Sequence, residues 1–162
     1  MFHVLLICTG NTCRSPMAEA LLRSMLPADL AEQVEVGSAG TGATNGAPAT
    51  ELAVLTAAGH GLKLGGHRSR VLTPRLVREA DLILAMEPRH VEWAIGLAPD
   101  ARERIHLVTE QSAESGATAS GVHDPIGGTA EDYADTFHRI RSHLLRWVPL
   151  IREAVERQEG VR

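Results

Sequence analysis

Short apolar runs alternate with amphipathic stretches along this chain, and the alternation predicts strands interleaved with helices. Phe2 to Cys8 is a run too brief for a helix and reads as a buried strand. Ser15-Pro16 follows, a good N-cap before a residue favoured at the first helical position, so a helix is expected from there. Met17, Ala20 and Leu21 continue it at helical spacing to about Leu26, and Pro27 stops it. Val34 and Val36 predict a second strand ending at Gly37, and residues 37–48, rich in Gly, Ala, Thr and Ser, predict a loop. Thr50 to Ala58 predicts a short helix closed by Gly59, and Thr73-Pro74 opens another that runs to Glu79. Asp81 to Met86 predicts a third buried strand, Pro88 to Gly96 a helix, and Ile105 to Val108 a fourth strand. Gln111 to Gly121, dominated by Ser, Ala, Gly and Thr, predicts a mobile loop. Helical spacing returns from Thr129 to Gln158, with Pro149 expected to kink or split the helix.

This order predicts an α/β fold: a three-layer sandwich with a four-stranded parallel sheet and helices on both faces. The chain has 162 residues, suited to one domain over 1–162 that buries roughly 70% of its unfolded surface. No apolar run approaches membrane-spanning length, and the N-terminus lacks the basic region of a signal peptide. Two cysteines exclude a disulfide scaffold and point to a reducing, cytoplasmic setting. A net charge of -4, with only two Trp, two Phe and one Tyr, argues against nucleic acid and acidic membranes as partners. Lys63 is the single lysine, so the other basic residues are arginines, a bias that codon usage explains without function.

The segment carrying chemistry is Cys8-Thr9-Gly10-Asn11-Thr12-Cys13-Arg14-Ser15-Pro16, between the first strand and the first helix. Ligands of open parallel sheets bind there, and the helix that follows offers free N–H groups to an anion. A cysteine five residues before an arginine is weak by itself; this composition yields one by chance in about one chain in five. The strand before it and the Ser-Pro after it make the signal specific. Backbone N–H groups from Thr9, Gly10, Asn11, Thr12, Cys13 and Arg14 would form a nest for a tetrahedral dianion, with Gly10 supplying conformational freedom. Arg14 would clamp two phosphate oxygens. The same positive field is expected to depress the Cys8 thiol and make it a nucleophile. Cys13 is a packing residue or the partner of Cys8 in a reversible disulfide that guards against over-oxidation.

C-T-G-N-T-C-R-S-P with Met17-Ala18-Glu19-Ala20 behind it resembles the low-molecular-weight protein tyrosine phosphatase family, most of all its bacterial protein-arginine phosphatase branch. The resemblance recurs at Ser38-Ala39-Gly40, at Ala80 to Met86 and at Asp124-Pro125-Ile126-Gly127-Gly128, and so spans nearly the whole chain. It implies Cys8 as nucleophile, Arg14 as transition-state clamp, and Asp124 as the acid that protonates the leaving group and then activates water. It also implies a polar network of Asn11, Ser15, Ser38 and His67 supporting the loop. The other seven histidines show no ligand spacing and are taken as structural or solvated. No metal and no cofactor is implied; the implied partners are phosphorylated proteins, and the expected state is a monomer.

The resemblance bears on substrate as well. Tyrosine-specific members usually carry a bulky aliphatic residue where Thr12 stands, and aromatics after the Asp-Pro pair, where this chain has Ile126 and Gly127. Thr12 therefore points to phosphoarginine, with phosphotyrosine as the alternative. A phosphopeptide-binding module or phosphocysteine carrier would keep the nest but lose the acid or the clamp, and Cys8, Arg14 and Asp124 are all present. Arsenate reductases of this fold need further cysteines, and none follows Cys13. A nucleotide-binding P-loop needs Gly-Lys-Ser/Thr, and Lys63 is followed by Leu64.

Overall fold

The computed structural model describes residues 1–111 and 119–161. Four strands form one parallel sheet in the order β2-β1-β3-β4: β1 (Phe2–Cys8), β2 (Val34–Gly40), β3 (Leu82–Ala85) and β4 (Ile105–Leu107). Alternation along β1 builds both faces. Phe2, Val4, Leu6 and Cys8 join the core under α1 (Arg14–Met25), α3 (Glu51–Ala58) and α6 (Ala130–Gly160). Leu5 and Ile7 join the opposite core, under α4 (Pro74–Glu79) and α5 (Pro88–Leu97). The three-layer α/β arrangement expected from the strand count is the one observed. A short α2 (Ala28–Ala31) and a 3-10 turn (Pro99–Arg104) fill two connections the pattern did not indicate. Among the described residues no helix is long and apolar enough to cross a membrane.

Three local expectations are corrected. β2 continues past Gly37 to Gly40, its last residue paired with Cys8. Ser38 and Gly40 sit against the β1–α1 connection, while Gly37 faces Arg70 and Ala39 joins the core under α4 and α5, so no strand pattern shows. A Cβ at Gly40 would run into the Thr9 carbonyl oxygen and come within 2.9 Å of the Asn11 nitrogen. The first helix starts two residues earlier than the Ser15-Pro16 pair implied. Cys13 is its N-cap, its carbonyl accepting from Met17 N at 3.2 Å, and the Ser15 hydroxyl turns inward. Finally, α6 passes through Pro149 as one helix of 31 residues. Leu144 and Trp147 before the proline and Ile151 and Val155 after it are all buried, so packing on both sides holds the helix together. The expected loop over Gln111 to Gly121 falls largely on residues 112–118, outside the described residues.

Candidate active site

Three β–α junctions meet at the carboxyl edge of the sheet. The first is the loop from Cys8 to Arg14. Asn11 is the only non-glycine with positive φ among the described residues, at 56°, a conformation asparagine tolerates better than most residues. The turn leaves its backbone N–H 3.3 Å from Cys8 Sγ and its carbonyl 2.7 Å from His67 Nε2. A carbonyl only accepts, so His67 Nε2 carries a proton.

The side chains under the loop fix one another's protons. The Arg70 backbone N–H can only donate, and it reaches Asn11 Oδ1 at 2.9 Å. Asn11 Nδ2 is thereby left to donate to Ser15 Oγ at 2.8 Å and Ser38 Oγ at 2.9 Å. Ser38 gives its own hydroxyl proton to Glu19 Oε2 at 2.5 Å. Ser15 then has one proton to give and the Cys8 sulfur 3.0 Å away to receive it.

Burial pushes the Cys8 thiol above its ordinary pKa, although the Ser15 hydroxyl, the Arg14 charge and the amides of Ser15 and Asn11 pull it down. The expected depression is corrected on this point: in this structure desolvation of the buried Cys8, a residue only 2% exposed, outweighs the field of the loop.

Arg14, with 1% of its surface exposed, is held from the second and third junctions. Its Nη1 donates to Glu87 Oε2 at 2.6 Å and to the Val122 carbonyl at 2.8 Å, while Nη2 lies 3.4 Å from Asp124 Oδ2. Partial burial pushes the Glu87 carboxyl up, but hydrogen bonds from Arg14 and Arg89 hold it below the usual range. Val122 is seated by its own N–H on the Met86 carbonyl at 2.7 Å. That close pass requires Gly121, at φ 80°, where a Cβ would strike the same carbonyl. Asp124 Oδ1 accepts from Ile126 N at 3.1 Å, which orients the carboxylate at the start of the Pro125–Gly128 turn.

Thr12 is half-buried, and its carbonyl accepts from Thr50 N at 2.9 Å. Both cysteines carry free thiols. Cys13 Sγ lies 3.3 Å from Tyr133 Oη and 3.5 Å from Thr50 Oγ1. Burial and the Cys13 contact push the Tyr133 hydroxyl up to about 12. Among the described residues no group of three or more His, Cys, Asp or Glu is placed to hold a metal ion.

The structure thus brings Cys8, Arg14 and Asp124 to one edge, with Asn11, Ser15, Ser38 and His67 beneath the loop. Sequence reasoning missed Glu87, Glu19, Arg70 and His90. Only His90 left a local trace, in the Glu87-Pro88-Arg89-His90 pattern. That pattern places a polar side chain where it can reach back to the nitrogen before a helix.

A low molecular weight phosphotyrosine protein phosphatase model matches residues 3–160. The chain belongs to that family. Low molecular weight protein-tyrosine-phosphatase Wzb of Escherichia coli strain K12 is 36% identical over 145 residues, covering 90% of this chain and 92% of that protein. YwlE arginine phosphatase from Geobacillus stearothermophilus superposes with a TM-score of 0.81 at 30% identity, over 100% of this chain and 98% of that one. The tyrosine phosphatase Wzb from Escherichia coli K30, in complex with sulphate, gives a TM-score of 0.81 at 34% identity, over 93% and 99%. Like these family members, the chain is a cysteine-dependent phosphatase acting on phosphorylated proteins.

Proposed function

We propose that this phosphatase, acting as one domain, removes phosphate from arginine side chains of proteins through a phosphocysteine intermediate. The enzyme thiol and a bound phosphoryl dianion hold one proton between them. Its transfer to a phosphoryl oxygen leaves the Cys8 thiolate to attack phosphorus in line. The phosphorus–nitrogen bond breaks, its electron pair goes to nitrogen, and Asp124 delivers the proton that lets the guanidine leave neutral. Asp124, now a carboxylate, takes a proton from water as that water attacks phosphocysteine. Phosphate and free Cys8 are released. Arg14 and the loop amides balance the charge that grows on the equatorial oxygens.

The observation carrying the substrate reading is the character of the walls. Thr12 presents a hydroxyl at the loop, and Ile126 and Gly127 follow the Asp-Pro pair where a phenol ring would want aromatic partners. Tyr133, Phe2, Phe137 and Trp147 are all buried, which leaves Trp93, on α5, as the exposed aromatic. The likeness to an arginine phosphatase over the full chain supports the same reading. The likeness to Wzb favours phosphotyrosine as the second reading.

Parallel kcat/KM measurements on a phosphoarginine protein and a phosphotyrosine peptide decide between them. The wild-type chain is expected to prefer phosphoarginine, and Thr12→Ile to move the ratio toward phosphotyrosine by about tenfold or more. A wild-type preference for phosphotyrosine, or an unmoved ratio in the variant, overturns the assignment.

A further inference from the structure

His90 lies on the first turn of α5, is 1% exposed, and has no part in the chemistry above. Its two ring nitrogens are both engaged. Nδ1 is 3.0 Å from the Glu87 backbone nitrogen, which can only donate, so Nδ1 carries the lone pair. Nε2 therefore holds the proton, and it points at Thr9 Oγ1 at 2.8 Å. A neutral ring of one tautomer is the state that satisfies both bonds.

The two contacts link opposite ends of the phosphate loop. Thr9 directly follows the nucleophile. Glu87, whose nitrogen fixes the His90 ring, holds Arg14 at the far end of the loop through its carboxylate at 2.6 Å. One turn of helix thus secures both the start of the loop and its clamp.

We propose that His90 is a positioning residue for catalysis: in its neutral form it ties Thr9 to the backbone of the residue that holds Arg14, and so fixes the loop's span from nucleophile to clamp. The proposal rests on reading that loop as the phosphate site. It differs from a simple capping role because the cap needs only Nδ1, whereas the loop needs Nε2–H.

That difference supplies the test. An asparagine amide can stand in for Nδ1 and a glutamine amide for Nε2–H. His90→Asn is expected to keep the melting temperature while lowering kcat/KM on an aryl phosphate about tenfold, the worth of roughly one hydrogen bond. His90→Gln is expected to lower the melting temperature yet recover most of the rate. Thr9→Val should match the loss of His90→Asn, and the double variant should lose no more than either alone. Protection of Cys8 from iodoacetamide by inorganic phosphate reads the same loop without turnover, and should weaken about tenfold in Thr9→Val and His90→Asn. Full rates and full protection in both variants, or additive losses, overturn the role of His90. Absence of turnover and of phosphate protection in the wild-type chain overturns the phosphate-site reading itself, and the role of His90 with it.

Discussion

At the scale of single residues, the nucleophile's state is set by competition between burial and a few donors. Burial pushes the Cys8 thiol up, and the Ser15 hydroxyl is the largest of the influences drawing it back. Ser15→Ala removes that donor and leaves the burial, so the thiol should ionise at still higher pH. The rate of iodoacetamide alkylation against pH measures this directly; a midpoint that stays put or moves down contradicts the assignment of the Ser15 proton to sulfur. Sequence made the position of Ser15 visible but not its direction. As a hydroxyl before a proline it looked like a helix cap, and what turns it inward is Asn11, whose side-chain amide is otherwise held by Ser38 and the Arg70 backbone. Partners so distant in the chain leave no trace in local spacing. Asp124 is similar. Nothing in Asp-Pro marks an acid, and the position of Asp124 beside Arg14 depends on Gly121 passing tight against Met86.

At the scale of elements, continuous apolar runs made β1 and β3 legible, because buried parallel strands need apolar residues on both faces, while β2 and β4 showed as apolar residues flanking Glu35 and His106. The end of β2 was illegible for a physical reason. Gly37, Ser38, Ala39 and Gly40 have side chains too small to show a strand pattern, and at Gly40 the reason is the loop packed against it. Gly40→Ala should therefore cost about 1–3 kcal/mol of stability, since the added methyl meets backbone atoms of Thr9 and Asn11 that cannot yield without moving the loop. Denaturant unfolding measures the cost. Loss of phosphate protection at Cys8 in the variant, under conditions where it stays folded, would show that the strain reaches the site. A stability equal to wild type would contradict the close approach. Pro149 misled in the opposite direction. Alone it signals a break, but buried residues on both sides outweigh one missing hydrogen bond.

At the scale of the whole molecule, pH acts through groups whose proton affinity changes on folding. His90 titrates at about 4 in the folded chain against about 6.5 when exposed, because burial disfavours its charged form and Arg14 repels it. Arg89 adds to that repulsion, while Glu87 and Asp124 oppose it. The unfolded chain thus binds the extra proton first. The contribution is fully present above about pH 6.5 and is lost as pH falls from there toward 4. Melting temperatures between pH 7.5 and 5 should fall in the wild-type chain and fall less in His90→Asn; parallel curves would show that His90 is not the responsible group.

The last helix joins these scales. At 31 residues α6 is about 46 Å long. Near its start Tyr133 reaches the sulfur of Cys13, midway Trp147 donates to the Val108 carbonyl at 2.8 Å, and near its end Gln158 meets Asp81 at 3.0 Å. A rod pinned at three such places carries a disturbance from its tail to its head. Trimming or fusing the C-terminus is therefore a perturbation of the catalytic rim, and because Asp81 also accepts from His3 N at 2.8 Å, a tag placed at the other terminus meets the same end of that lever.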